Sequence, residues 1–226
     1  MAQFLFHFTI MYIYDKFKVY INLLAFQILM RIYRYNKYIL KPISFSGNYT
    51  DLFFSFLEFK ILIIMIAHLS IGTNIGDKRQ NLIIAIDMLN KFCGTIIKQS
   101  SIYETNAWGF ESSNSFYNIA VAINTNLSPQ KLLDKLFFIE NEIGRERQGV
   151  GYSDRLIDID IIFYDNETIT TDKLQIPHPL LQARNFVLYP MCEICPEFTH
   201  SKFNKTIKEL KEASTDNSII KVVTIV

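Results

Sequence analysis

The chain has 226 residues, half of them hydrophobic, and a formal net charge of +1 at pH 7. This length suffices for one packed domain with an extension. The near-zero charge gives no electrostatic reason to expect a nucleic-acid or acidic partner. Its three cysteines, Cys93, Cys192 and Cys195, are too few for a disulfide framework and indicate free thiols in a reducing, cytoplasmic compartment.

The composition changes near Met65. Residues 1–64 hold more than half of the aromatic residues and more basic than acidic residues, whereas acidic residues outnumber basic ones afterwards. Their uncharged stretches are shorter than the roughly 20 residues that span a bilayer, and they lack a signal-peptide pattern. Three interpretations stay open: leader sequence read through as protein and foreign to the natural chain, a membrane-surface or hairpin anchor, or an ordered subdomain. We therefore predict an atypical extension over 1–64 and a separate domain over 65–226.

After Met65 the hydrophobic pattern predicts alternating strands and helices. Four strands are predicted, over residues 66–71, 95–103, 116–123 and 156–164. Asp77 begins a helix after the first strand, and Ser128 with Pro129 begins another that Gly144 ends. This β-α-β-β-α-β order predicts an α+β fold with a ferredoxin-like sheet. A helical region over 184–195, a helix over 205–213 and a strand over 218–226 complete the prediction.

Asp158 and Asp160 are the sharpest chemical signal. On a strand, residues two apart point to the same face, so their Cα atoms lie about 6–7 Å apart while Ile157, Ile159 and Ile161 point to the other face. A divalent cation would relieve the repulsion between the carboxylates, and hard oxygen ligands suit Mg²⁺. A merely solvated pair on a wet strand face remains the alternative.

A loop rich in arginine precedes the two aspartates. Arg145, Arg147 and Arg155 flank Gly149 and Gly151. Guanidinium groups match phosphate oxygens bidentately, so arginines beside a carboxylate metal site favour a polyphosphate substrate. A solvated charged loop would carry the same residues.

Two further motifs are ambiguous. The segment from Gly72 to Gly76 follows a strand but lacks the Lys-Ser/Thr ending of a P-loop, so a tight turn capped by Asp77 is favoured. His178 lies between Pro177 and Pro179, where it could contact a phosphate or a base or serve only in a turn. The Cys192–Cys195 pair lacks further ligands at zinc spacing and is interpreted as incidental.

Taken together, these motifs resemble the 6-hydroxymethyl-7,8-dihydropterin pyrophosphokinases (HPPK) of folate biosynthesis. The resemblance runs from Met65 to about Glu197 and rests on eight segments: G-T-N at 72–74, Y-E-T at 103–105, F-Y-N at 116–118, I-E at 139–140, G-R-E-R at 144–147, D-R-L-I-D-I-D at 154–160, I-P-H at 176–178 and R-N-F at 184–186. It implies an α/β/α sandwich that transfers pyrophosphate from Mg-ATP to the pterin hydroxymethyl group and releases AMP.

The resemblance also implies roles for individual residues. Asp158 and Asp160 would hold two Mg²⁺ ions, with Arg145, Arg147 and Arg155 as further catalytic residues. The pterin side would comprise Thr105, Asn106, Trp108, Phe116, Asn118 and Phe186. The ATP side would comprise Glu140, Arg147, Ile161, Gln175, His178 and Arg184.

The sequence departs from the family in the arginine loop. Members often have a basic residue, Trp, Gly and Pro before the last arginine, where this chain has Gly151, Tyr152, Ser153 and Asp154. We expect a monomeric enzyme acting on ATP and hydroxymethyl-dihydropterin, without nucleic-acid or membrane partners; channelling to the next folate-pathway enzyme stays open. The alternatives are a noncatalytic ferredoxin-like ligand-binding module and, less favoured by the balanced charge, a metal-dependent nuclease.

Overall fold

Ten strands are present in the computed structural model, which describes residues 65–145 and 152–223. The predicted extension over 1–64 and the predicted catalytic residue Arg147 lie outside these ranges. In chain order the strands are β1 (Met65–Thr73), β2 (Thr95–Gln99), β3 (Tyr103–Thr105), β4 (Phe116–Thr125), β5 (Asp158–Tyr164), β6 (Ile169–Thr170), β7 (Gln175–Ile176), β8 (Thr199–His200), β9 (Lys205–Thr206) and β10 (Ile220–Val222).

Six strands form one antiparallel sheet in the order β10-β3-β4-β1-β5, with β2 also paired to β4. If β2 and β3 count as one strand, the inner order is that of a ferredoxin-like sheet, as predicted. The final strand was predicted over 218–226 and is shorter, and it adds to the edge formed by β3.

The sequence predicted one continuous strand over 95–103, and this is wrong because the strand is interrupted between β2 and β3. The Ser100 hydroxyl accepts a hydrogen bond from the Ala120 amide at 2.9 Å. The backbone and hydroxyl groups of Ser101 donate to the Glu193 carboxylate at 3.0–3.1 Å. Serine side chains and a distant carboxylate thus replace part of the strand ladder.

The first two helices begin at the predicted caps, Asp77 and Ser128. The helices are α1 (Lys78–Phe92), α2 (Pro129–Ile143), α3 (Asn185–Ile194) and α4 (Ile207–Glu212), with a 3₁₀ turn at Leu181–Ala183. The Asp77 side chain accepts from the Gln80 amide, and Gly144 ends α2 with a left-handed φ of 101°. Helix α4 starts two residues later than predicted, because Thr206 and Glu209 form a capping box.

Helices cover both faces of the sheet, giving the predicted three-layer α/β/α arrangement. On one face α1 and α2 pack on alternating apolar residues of the strands, including Leu69, Ile71, Ile119, Val121, Ile159 and Ile161. On the other face α3 and α4 cover a smaller cluster that includes Ala120, Ala122, Ile162 and Phe163. Each face buries its own core because side chains alternate along a strand.

Two short hairpins were not predicted, β6 with β7 and β8 with β9. Strands of two residues carry no detectable periodicity, so only the structure reveals them. The first hairpin leads directly into Pro177 and His178. Across the described ranges, no helix is both long and apolar enough to cross a membrane.

His68 is an unusual core residue. Its side chain lies in β1, only 7% exposed, with its ring centroid 6.0 Å from that of Phe163 and 5.3 Å from that of Phe198. Its Nδ1 has no hydrogen-bond partner among the described residues. Burial, helped by the charge of Lys98, lowers the pKa of His68 from 6.5 to about 4. The fold therefore accommodates the neutral imidazole.

We predict that His68 makes the fold sensitive to acid. Its contribution is fully present above the unfolded-state pKa of 6.5 and is lost as pH falls toward 4, because the unfolded chain binds the proton more tightly. Between pH 8 and pH 5 the loss should be about 2 kcal/mol. Urea unfolding at both pH values should show a smaller pH dependence in His68→Leu than in the parent. Equal pH dependence in the two proteins would contradict the assignment.

Candidate active site

Two neighbouring cavities meet at Asp158 and Asp160. The first, of about 260 Å³, is lined by Ser70, Gly72, Thr105, Asn106, Trp108, Phe110, Phe116, Asn118, Arg145, Tyr152, Arg155, Asp158, Asp160, His178, Arg184 and Phe186. The second, of about 430 Å³, is lined by Leu133, Phe137, Glu140, Arg145, Asp158, Ile159, Asp160, Ile161, Thr171, Asp172, Lys173, Leu174, Gln175, His178 and Pro179. Both cavities share Arg145, Asp158, Asp160 and His178, so molecules bound in them would meet at the two carboxylates.

The sheet register creates the first cavity. Gly72 lies directly between Asn118 on β4 and Asp158 on β5, and Ser70 lies opposite Asp160. A Cβ atom at Gly72 would come within 3.1 Å of the Asn118 Oδ1. The missing side chain therefore leaves open the space between the amide and the carboxylate.

The two carboxylates have different surroundings. Asp158 pairs through Oδ1 with Arg145 Nη1 at 2.5 Å and through Oδ2 with Arg155 Nη2 at 3.1 Å. Within the described ranges Asp160 forms no ion pair, and burial together with the charge of Asp158 raises the pKa of Asp160 to about 7. The site is therefore short of positive charge at Asp160.

This donor set fits a divalent cation with hard-ligand preference. In the described residues no group of three or more His, Cys, Asp or Glu side chains could hold a metal ion. The protein would thus supply two carboxylates and leave the other positions to water and phosphate oxygens, as Mg²⁺ sites commonly do. A softer metal such as zinc would require more nitrogen or sulfur ligands.

Glu140 anchors Arg145, which lies two residues after the end of α2. Its carboxylate is 1% exposed, accepts a hydrogen bond from the Ile159 amide at 2.8 Å and pairs with Arg145. Burial opposes ionisation of Arg145, but the charges of Asp158 and Glu140 prevail and raise its pKa. Arg145 is therefore a fixed cation between α2 and the two carboxylates of β5.

Two other arginines keep unused donors beside the carboxylates. The Nε atoms of Arg155 and Arg184 are buried without a partner among the described residues. Arg184 is 7% exposed, and its Nη2 donates to the Tyr152 hydroxyl at 2.7 Å. Buried unpaired donors are costly, so an anion with several oxygen atoms fits this part of the cavity.

Aromatic rings line the rest of the first cavity. The ring centroids of Trp108 and Phe186 are 6.3 Å apart, and those of Trp108 and Tyr152 are 5.8 Å apart. The Arg184 guanidinium lies 4.8 Å from the centroid of Trp108. Phe116, at 6% exposure, packs near Arg155. These surfaces fit a flat heterocycle.

His178 lies on the boundary between the cavities. Its backbone amide donates to the Ile162 carbonyl at 3.0 Å, and its Nδ1 accepts from the Leu180 amide at 3.2 Å. Burial and the charge of Arg184 lower the pKa of His178 to about 4. The imidazole is therefore neutral, and its Nε2 carries the proton that it could donate to a ligand.

The predicted pterin-side residues all line the first cavity. Of the predicted ATP-side residues, Glu140, Ile161, Gln175 and His178 line the second cavity, whereas Arg184 lines the first. The sequence analysis missed Ser70, Phe110 and Tyr152. Ser70 could have been found two residues before Gly72 on the same strand face, but the two aromatic residues belong to irregular loops.

The two remaining sequence motifs, the turn over 72–76 and the Cys192–Cys195 pair, do not form part of either cavity lining except at Gly72. Asn74 binds both the Asp154 side chain and the backbone of Arg155, and Asp77 caps α1 as expected. Cys192 and Cys195 pack with the second core and line neither cavity. Burial raises the pKa of the Cys195 thiol to about 12, which disfavours a reactive thiolate.

Comparison with known proteins identifies the same family as the motifs. The family model described as 7,8-dihydro-6-hydroxymethylpterin-pyrophosphokinase matches residues 68–196. The 2-amino-4-hydroxy-6-hydroxymethyldihydropteridine pyrophosphokinase of Aquifex aeolicus is 40% identical over 148 residues, covering 66% of this chain and 91% of the relative. The Bacillus subtilis enzyme of the same name is 40% identical over 158 residues, covering 70% and 89%.

Solved structures agree on the fold. The Plasmodium falciparum HPPK-DHPS wild type with SDX-DHP superimposes with a TM-score of 0.55 at 18% identity, covering 66% of this chain and 44% of the other. A structure of HPPK-DHPS in complex with substrates gives a TM-score of 0.56 at 19% identity, with 66% and 43% covered. This chain therefore spans less than half of those longer chains.

Proposed function

The chain belongs to the 7,8-dihydro-6-hydroxymethylpterin pyrophosphokinase family, ATP-dependent enzymes of folate biosynthesis, and we propose that its two cavities are the two substrate sites. The observation that carries the proposal is their shared boundary at Asp158, Asp160, Arg145 and His178. A transfer between two bound substrates requires such a meeting point. The reaction would move pyrophosphate from ATP to the hydroxymethyl group of 6-hydroxymethyl-7,8-dihydropterin and release AMP.

The pterin would bind in the first cavity. Trp108, Phe116 and Phe186 supply the aromatic surfaces that a flat bicyclic ring needs. Asn118 would read the polar edge of the ring, because its amide donates to Thr105 Oγ1 at 2.9 Å and keeps its carbonyl oxygen toward the opening left by Gly72. Thr105 and Asn106 would complete this polar edge.

ATP would bind in the second cavity with its phosphates at the boundary. Ile161 and Gln175 both line this cavity. The neutral His178 could donate a hydrogen bond to a phosphate oxygen without adding charge. Arg184 lines the pterin-side cavity, so we assign its guanidinium to the transferred phosphates. Arg147 would be a further ATP contact and lies outside the described residues.

Asp158 and Asp160 would hold two Mg²⁺ ions. When bound, these ions would neutralise phosphate charge and align the β-phosphorus for displacement. Arg145 and Arg155 already pair with Asp158. We propose that they exchange part of this pairing for phosphate oxygens when the nucleotide binds.

Catalysis would consist of positioning and charge stabilisation. The pterin hydroxymethyl oxygen would form a bond to the β-phosphorus as the bond to the α-phosphate oxygen breaks and AMP leaves. The fixed Arg145 and the donors of Arg155 and Arg184 would bear the negative charge of the transition state. No covalent enzyme intermediate is part of this proposal.

We also propose that residues 65–226 form the catalytic domain and act as a monomer in the cytoplasm. The free thiols of Cys93, Cys192 and Cys195 are consistent with a reducing compartment. The HPPK-DHPS relatives join this activity to a second enzyme, so channelling of product to the next folate-pathway enzyme remains part of the hypothesis.

The first prediction tests the reaction and the paired carboxylates. The parent should form AMP from ATP only when hydroxymethyl-dihydropterin is present. Chromatography of the nucleotides would measure the AMP. Asp158→Asn and Asp160→Asn should each lower the rate at least ~100-fold, because the phosphate charge loses its metal ligands. Asp134→Asn, an exposed residue of α2, should retain parental activity. Absence of AMP in the parent would favour a noncatalytic binding module.

A second prediction concerns Arg155. Its guanidinium would act mainly on the transition state, so Arg155→Ala should lower kcat about 10- to 1,000-fold with less than about 3-fold change in KM for ATP. Arg155→Lys should recover only part of the loss, since lysine keeps the charge but not the forked geometry. A change confined to KM would make Arg155 a uniform binding contact instead.

Phe186 provides a test of the aromatic clamp. Phe186→Ala should weaken pterin binding about 10- to 100-fold and leave Mg-ATP binding nearly intact, as measured by calorimetric titration of each ligand. Its melting temperature should change little because Phe186 is only half-buried. Phe163→Ala, in the second core, should instead cost ~3–5 kcal/mol of stability. A Phe186 variant that resembles the Phe163 variant would exclude the clamp.

The last prediction here concerns the composition break. A chain that begins at Met65 should fold and turn over at the rate of the full chain, because every described site residue follows that position. Steady-state kinetics of the two purified proteins would compare them. A soluble but inactive shortened chain would show that residues 1–64 contribute to the reaction.

A further inference from the structure

Asp154 connects three segments around the first cavity. Its Oδ1 accepts hydrogen bonds from Asn74 Nδ2 and from Ser112 Oγ, both at 2.6 Å, and its Oδ2 accepts from Asn114 Nδ2 at 2.8 Å. Asn74 lies in the turn after β1, whereas Ser112 and Asn114 lie in the loop between β3 and β4. That loop also carries Trp108, which lines the cavity.

The link through Asn74 reaches a catalytic candidate. The side-chain Oδ1 of Asn74 accepts from the backbone N–H of Arg155 at 2.7 Å. The backbone N–H of Asn74 donates to the Arg155 carbonyl at 3.1 Å. An asparagine side chain can bind in either of two flipped orientations. Because Asp154 accepts from Nδ2, it selects the orientation in which Oδ1 faces Arg155. The Arg155 guanidinium then reaches Asp158 at 3.1 Å.

The exposure of Asp154 argues against a mainly stabilising role. Its side chain lies at the surface, where hydrogen bonds between polar groups add little to the free energy of folding. Donation from Ser112, and then from Asn74 and Asn114, lowers the pKa of Asp154, so the acceptor is ionised at neutral pH. What the three bonds restrict is the relative position of the segments that they join.

We propose that Asp154 is a positioning residue for pyrophosphoryl transfer, which holds Arg155 toward Asp158 through Asn74 and holds the Trp108 loop through Ser112 and Asn114. The inference rests on the proposed function of the site. It goes beyond the proposed function because it assigns a role to Asp154, whose side chain lines neither cavity.

Two substitutions of Asp154 give the decisive comparison. Asp154→Ala removes every acceptor and should lower kcat about 10-fold, with less than about 3-fold change in KM for ATP and no change in melting temperature. Asp154→Asn keeps Oδ1 for Asn74 and Ser112 and loses only the Asn114 contact, so it should recover most of the rate. Asp87→Ala, an exposed residue of α1, should match the parent in all three measurements.

A double-mutant cycle tests the path through Asn74. If Asp154 acts partly through Asn74, adding Asp154→Ala should lower the kcat of Asn74→Ala by a smaller factor than it lowers the kcat of the parent, and the remaining loss belongs to the Trp108 loop. Multiplicative effects would overturn this path, and a parental kcat in Asp154→Ala would overturn the whole proposal. A loss of rate that follows a loss of folded protein, measured by a parallel melt, would also overturn it. Failure of the parent to form AMP would instead refute the proposed function.

Discussion

The structure depends on the alternation of strand β5. Ile157, Ile159 and Ile161 are almost fully buried, whereas Asp158 and Asp160 point to the opposite face. The core contacts fix the strand, so the two carboxylates cannot move apart to relieve their repulsion. Holding like charges together costs free energy, and the charge of Asp158 adds to burial, the larger cause, in raising the pKa of Asp160. Arg145 and Arg155 neutralise part of this negative charge, and the proposed metal would neutralise more of it.

The protein's own arginines neutralise part of the negative charge of the two carboxylates. Asp158 has two guanidinium partners, while Asp160 has none in the ranges that the structure describes. A nucleotide with its metal would therefore compete with internal ion pairs at Asp158 and meet an unneutralised carboxylate at Asp160. Such an exchange of partners lowers the net gain from ground-state binding and leaves arginine donors free for the charge that develops later. With the proposed roles of these residues, the arrangement would stabilise the transition state more than the bound substrates.

Sequence patterns predicted those parts of the molecule that local chemistry determines. Helix caps at Asp77 and Ser128 and the alternation around Asp158 depend on residues only a few positions apart. The break between β2 and β3 was missed because it depends on Glu193, which is 92 positions from Ser101. Phe110 and Tyr152 were missed for the same reason, since no local period places loop residues against one another. The implied roles of the site residues came from the family resemblance rather than from periodicity.

Strand β5 has a further property that follows from its place at the end of the sheet. An edge strand presents unpaired backbone groups on which another chain can add a strand, and natural proteins usually obstruct such edges. Here the backbone N–H of His178 donates a hydrogen bond to the Ile162 carbonyl of β5. The segment around His178, which borders both cavities, therefore also covers part of this edge. If His178 contacts ATP as proposed, substrate recognition and protection from self-association would share one stretch of backbone, and a change that loosened Pro177–Pro179 would favour aggregation as well as weaken catalysis.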